Sequence, residues 1–135
     1  MSSNLTIGTI PKVITASAAV TATGAGSAVV DLQDYTGIAS IFLNSGGIDD
    51  TDTSATPTAT VKLQTATDSA FGTPVDVTGG GFTAISTTAA SSEEIALDLQ
   101  GSTVNRYLRT YVTVASEANA TAYIGVSGLF KQRGW

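Results

Sequence analysis

The residues of this chain best spaced to do chemistry are the carboxylates of Gly46-Gly47-Ile48-Asp49-Asp50-Thr51-Asp52-Thr53-Ser54. Asp50, Asp52 and Ser54 alternate, as do the first oxygen ligands of a calcium loop that converge on one hard cation. The pattern then fails: the sharp-turn position holds Ala55 instead of glycine, and the closing acidic position holds Val61. Like charges in a polar stretch are ordinarily hydrated, so the sequence favours a solvated loop over a divalent-ion site. Glu93 and Glu94 form the other acidic pair. As neighbours on a strand they point to opposite faces, which is unsuited to the acid and base of a glycosidase. There is no His and no Cys. The commonest general base at neutral pH, thiolate nucleophiles and thiolate metal ligands are therefore missing, and no Gly-x-x-x-x-Gly-Lys phosphate loop occurs. No cofactor and no resident metal is expected, and enzyme is the least favoured class.

Contact chemistry is better represented. In an extended Asn105-Arg106-Tyr107-Leu108-Arg109-Thr110-Tyr111-Val112-Thr113-Val114, one face carries Tyr107, Arg109 and Tyr111, and the other Leu108, Thr110, Val112 and Val114. The second row reads as core. The first is either an aromatic and cationic contact surface or a packed sheet exterior with Arg109 paired to a cross-strand acid such as Asp98. The tail Leu129-Phe130-Lys131-Gln132-Arg133-Gly134-Trp135 ends on the only Trp. Phe130, Arg133 and Trp135 are candidate anchors against a neighbouring subunit, with folding back onto the same sheet as the alternative. Residues 1–12 mix Gly, Pro and small polar side chains and read as an N-terminal arm or a loose first strand ending near Pro11, with Pro11 and Lys12 at its inner end as further contact candidates.

The elements that must position these residues are strands. Hydrophobic residues make up 42% of the 135 and many are β-branched, which suits pleated sheets and argues against disorder. One domain fits this length, here residues 13–135 after the arm. The net charge of −5 with six basic residues offers no electropositive field for nucleic acid, and no apolar run approaches the roughly 18 residues of a membrane span. The opening residues lack a basic leader followed by an apolar core, so a cytoplasmic origin is expected. Only 13% of residues are charged, which suits a surface covered by other subunits and equally a monomer coated with Thr and Ser.

Seven to nine short strands are predicted, with no stretch at helical period. They are drawn from the β-prone pieces 13–16 and 19–23, 27–32, 38–44, 59–66, 74–77, 82–85, 94–99, 105–114 and 120–130, not all of which need form separate strands. A hairpin is expected around Gly24, a strand break at Ser45-Gly46-Gly47 followed by a polar loop over 48–58, and a pairing of 82–85 back across Gly79–Gly81. Residues 91–94 read as one helical turn or as loop. The fold class is therefore an all-β antiparallel sandwich or jelly roll.

The pieces Val61-Lys62-Leu63-Gln64, Gly81-Phe82 and Arg106-Tyr107-Leu108-Arg109 leading into Val112-Thr113-Val114 resemble the jelly-roll capsid cement (decoration) proteins of tailed bacteriophages. The resemblance covers roughly residues 59–130. It implies a single jelly roll on the outer surface of an icosahedral head, bridging and stabilising major capsid proteins. The implied partners are the major capsid protein and further copies of the chain, a homotrimer being favoured and a dimer open. Neither nucleic acid nor membrane is an expected partner. The loop over 46–58 departs from the family pattern and leaves the outward face open. Another virion component of tail or fibre, or a carbohydrate-binding β-sandwich, are the alternative functions; the second would need surface aromatics at sugar-ring spacing.

Overall fold

A computed structural model describes residues 9–26, 28–50, 57–115 and 120–132, with the side chain of Asp50 excepted. Among these, the chain forms nine strands: β1 (Thr9–Val20), β2 (Gly24–Ala25), β3 (Val30–Asp31), β4 (Tyr35–Asp50), β5 (Thr58–Ala66), β6 (Val75–Gly81), β7 (Ser91–Asp98), β8 (Tyr107–Ala115) and β9 (Ala120–Gln132). They build two antiparallel sheets. The first has the order β1-β9-β4-β7, and the second the order β2-β8-β5-β6 with β3 also pairing on β8. The fold is an all-β, antiparallel two-sheet sandwich. No helix among the described residues is long and apolar enough to cross a membrane.

Alternation explains the layers. On β8, Leu108, Thr110 and Val112 are buried while Tyr107, Arg109 and Tyr111 are only partly covered, as the two-residue period predicts. β5 supplies Val61 and Leu63 to the same interior, and β4, β9 and β1 supply Ile41, Ile124, Val126 and Ile14 from the facing sheet. Burying such a side chain contributes about 1.5–3 kcal/mol each. Two polar side chains sit among them: the hydroxyls of Thr15 and Thr110 hydrogen-bond to each other and so tie the first sheet to the second.

Several expectations are corrected. Residues 9–12, read as the end of an arm or of a loose first strand, belong to β1, which runs past Pro11 to Val20 and pairs with β9 from Thr9 opposite Lys131 to Lys12 opposite Gly128. The glycines at 24 and 26 do not close a hairpin. Gly24 opens β2 after the chain has crossed from β1 in one sheet to the other, Gly26 follows β2, and β2 pairs with β8. Ser45-Gly46-Gly47 does not end its strand: β4 continues to Asp50 through a register shift between Ser45 and Gly47. Gly47 has φ 93°, and a Cβ there would lie 2.6 Å from the Thr88 carbonyl carbon, so this bulge requires glycine. Residues 82–85 turn to β5 instead of crossing the glycines, with Phe82 N–H donating to Val61 O and Ile85 bridging Ala59. Residues 91–94 open β7 rather than a helical turn or loop.

Candidate interaction surface

The outer face of the second sheet collects the contact chemistry. Across the β5·β8 ladder Lys62 stands opposite Tyr111, Gln64 opposite Arg109 and Ala66 opposite Tyr107. On the far side of β5, Asp76 of β6 pairs with Gln64, and on the far side of β8, Asp31 of β3 pairs with Tyr107. These registers bring residues distant in sequence into one layer of side chains.

Arg109 is the centre of that layer. Its Nε and Nη2 both donate to Gln64 Oε1, at 3.0 and 2.9 Å. Its guanidinium carbon lies 4.2 Å from the centre of the Phe71 ring. Gln64 in turn donates to Asp76 Oδ1 at 3.2 Å, and Lys62 Nζ reaches Asp76 Oδ2 at 2.8 Å. Gln64 is buried although it belongs to the outer face. A neutral amide thus links Arg109 to Asp76.

Phe71 comes from the β5–β6 connection and has φ 53°, a left-handed conformation that a bulky side chain adopts only when its surroundings hold it there. A turn supplies the hold. Phe71 N–H donates to Asp68 O, and Gly72 N–H donates to the Asp68 carboxylate. The result is a ring presented under Arg109 and buried on the outside of the sheet, away from the main core.

Two further cations lie over tyrosines: Lys62 is 5.4 Å from the Tyr111 ring centre, and Arg106 is 5.0 Å from that of Tyr107. Arg106 also forms a two-pronged pair with Asp31, from Nε at 3.0 Å and Nη2 at 2.9 Å. The Arg106 hydrogen bond, helped by Gln33 N–H, holds the Asp31 carboxyl below its ordinary range. Asp31 correspondingly raises Arg106. Hydrogen bonds from Lys62 and Gln64 lower Asp76 in the same way. Both ion pairs are solvent-exposed, so they orient the cations over the rings more than they stabilise the fold.

The outer face of the first sheet is different in character. It carries shallow depressions of about 590, 550 and 260 Å³ that share Asn44. Pro11, Phe42, Leu129 and Tyr123 contribute apolar surface there, and Glu94 lies on the β7 side.

The expected contact residues therefore separate. Tyr107, Arg109 and Tyr111 share the outer face of β8, but Arg109 is engaged by Gln64 and Phe71 and not by Asp98, which lies on β7 of the other sheet. Pro11 and Lys12 are exposed on β1, with Pro11 beside Leu129. Phe130 is no surface anchor. It is fully buried, its ring 5.2 Å from that of Tyr35 and packed where a Cβ on Gly128 would have to go. Arg133, Trp135 and residues 51–56 lie outside the described residues, so of the calcium-like Asp50, Asp52 and Ser54 only the backbone of Asp50 is described; Asp49 beside it is exposed near the end of β4. Glu93 and Glu94 diverge on β7: Glu93 accepts from Thr83 N–H and Oγ1–H, while Glu94 joins the outer face. Gln64, Phe71 and Asp76 were not singled out from sequence. Alternation within residues 59–66 places Gln64 and Lys62 on one side, but nothing local marks Phe71.

No protein-family model matches the chain, and no curated protein sequence matches it significantly.

Proposed function

We propose that the sandwich is a single jelly roll and that the protein is a capsid cement (decoration) protein of a tailed phage. Strand order supports the jelly-roll reading. With β2 and β3 taken as one interrupted strand, partners pair from the outside of the sequence inward: β1 with β9, β2 and β3 with β8, β4 with β7, β5 with β6. That is a long antiparallel ribbon. The two remaining ladders, β9·β4 and β8·β5, are those made when such a ribbon is rolled so that alternate pairs fall in alternate sheets.

One observation carries the functional reading: the pieces on which the cement-protein resemblance rests are contiguous in space. Lys62 and Gln64 of the first piece contact Tyr111 and Arg109. Gly81 pairs with Lys62, and Phe82 donates to Val61. They compose a face of partly exposed tyrosines backed by oriented cations, the residue types that dominate protein contacts. In this reading the face docks on the outer surface of the head after synthesis in the host cytoplasm. Binding the expanded shell in preference to its precursor stabilises the expanded state by mass action. Repetition over the lattice supplies avidity, and copies of the chain associate as a homotrimer or dimer.

Density-gradient sedimentation of a lysate containing the cognate particles, with this protein quantified against the major shell protein, tests the proposal. The expected result is co-migration with DNA-filled heads at a constant, high ratio to the shell protein, reduced by joint Tyr107→Ala and Tyr111→Ala substitution. A few copies per particle would assign it to tail or fibre instead, and absence from particles would overturn the virion reading altogether.

A further inference from the structure

Each sheet has two edges, and three of the four are visibly blunted. On the first sheet β1 carries Pro11 and Lys12 and two register shifts. On the second, β2 and β3 are two residues each, and β6 ends in Gly79-Gly80-Gly81 with a register shift against β5. These are the devices that keep a sheet edge from pairing with another chain. β7 has no such interruption, and charge is its one device, in Glu93, Glu94 and Asp98. Its eight residues, Ser91-Ser92-Glu93-Glu94-Ile95-Ala96-Leu97-Asp98, contain no Pro, Gly or Lys and pair with β4 without interruption from Ser91 opposite Ser45 to Asp98 opposite Ile38. Alternate N–H and C=O groups of an edge strand point away from its partner. Among the described residues, no backbone hydrogen bond outside the β4 ladder reaches β7 between Ser91 and Leu97.

We infer that the open edge of β7 accepts an extended, cationic strand from a partner protein. The charge comes from β7 itself. Its outward row is Ser92, Glu94, Ala96 and Asp98, all exposed, whereas Glu93 is turned to Thr83. Glu94 and Asp98 are four residues apart, about 14 Å along a strand. An added strand satisfies both when it carries Lys or Arg at positions four apart on that same face, because directly opposite side chains approach within about 5 Å. Beyond β7 the row continues into Phe42, opposite Glu94, and exposed Ile38, opposite Asp98, where the methylene stems of those cations find apolar surface. A second copy is the poorer occupant. β7 against β7 brings together two strands that each hold Glu93, Glu94 and Asp98 and no cation. The inference does not depend on the capsid reading.

The probe is a nine-residue peptide of alternating Thr and Val with two lysines four positions apart, titrated to millimolar concentration into the isotopically labelled full chain. Two comparators accompany it: the same peptide with Glu for Lys, and the Lys peptide N-methylated at alternate backbone nitrogens. The expected result is saturable amide shifts and slowed hydrogen exchange on β7, with the Lys peptide at least about fivefold tighter than the Glu peptide. The N-methylated peptide should leave β7 unchanged. Because Glu94 is exposed, Glu94→Lys should preserve the fold and, with Asp98 still in the row, bring the two charged peptides to similar affinity. Absence of saturable shifts on β7, equal binding of the N-methylated peptide, or a preference for the Lys peptide undiminished by Glu94→Lys would overturn the inference. Concentration-dependent protection of β7 without peptide would also overturn it, in favour of a second copy.

Discussion

The hydroxyls of Thr15 on β1 and Thr110 on β8 satisfy each other in the middle of the sandwich, a polar link that joins the two sheets through the core. A buried hydroxyl without a partner costs about 1–3 kcal/mol, whereas removing both partners with shape preserved is nearly neutral. Thr15→Val and Thr110→Val should therefore each destabilise by about that amount, and the double variant by clearly less than their sum. Urea midpoints of the four proteins decide this; simple additivity would mean that the hydroxyls act independently.

Gly26 packs on the same pair. Its N–H donates to Thr110 O at 2.9 Å, and a Cβ on it would lie 2.5 Å from Thr15 Oγ1 and closer still to Thr110 Oγ1. Gly26→Ala is expected to cost about 1–3 kcal/mol through overpacking. In a Thr110→Ala background, which removes the nearest atom, the same change should cost less. Equal penalties in both backgrounds would place the strain elsewhere.

Phe71 offers a reversal of the usual order of small residues. In a left-handed conformation Ala is strained and Gly is not, so Phe71→Gly should be more stable than Phe71→Ala by about 1 kcal/mol although both lose the ring. Thermal melts of the two variants at one concentration are sufficient. Alanine being the more stable of the two would show that the turn relaxes when the ring is removed.

Arg109→Lys should be nearly as costly as Arg109→Ala, by about 1–2 kcal/mol, because an ammonium reproduces neither the planar stack on Phe71 nor the double donation to Gln64. Rescue of stability by Lys would reduce the role of Arg109 to its charge.

Asp31 and Asp76 are held below their ordinary range, Asp31 first by Arg106 and Asp76 first by Lys62. On acidification the unfolded chain therefore takes up these protons before the folded one does. Their contribution is fully present above the ordinary carboxylate pKa near 4 and is lost as pH falls through the lower folded values. Asp31→Asn and Asp76→Asn should each flatten the decline of the urea midpoint between about pH 5 and pH 2, modestly because both pairs face solvent. Parallel decline in wild type and both variants would assign acid sensitivity to other groups.

How much of this was legible beforehand follows from the range of each signal. The Tyr107, Arg109 and Tyr111 row was readable because a two-residue period is local and survives without knowledge of partners. The partner of Arg109 was not: Gln64 is set by a nonlocal register, and Asp98, an equally plausible acid by sequence, falls in the other sheet. Gly46-Gly47 was read as a stop because glycine marks turns and bulges alike, and only the approach of Thr88 distinguishes them here. Phe130 was read as an anchor from its place near the tail, yet β9 continues to Gln132 and its alternation turns the ring inward.

The ladder between β1 and β9 sets the order of synthesis against the order of assembly. β9, the last described strand to leave the ribosome, lies between β1 and β4 in the middle of the first sheet. Until it arrives, β1 has no neighbour within its own sheet and β4 has a neighbour on one side only. Completion of the first sheet must therefore wait for residues 120–132, and it depends on contacts of high sequence separation, the kind that close slowly. A nascent chain stalled before residue 120 would present β1 unpaired and β4 open on one side, so for this fold the interval most open to misassembly is the one before β9 emerges.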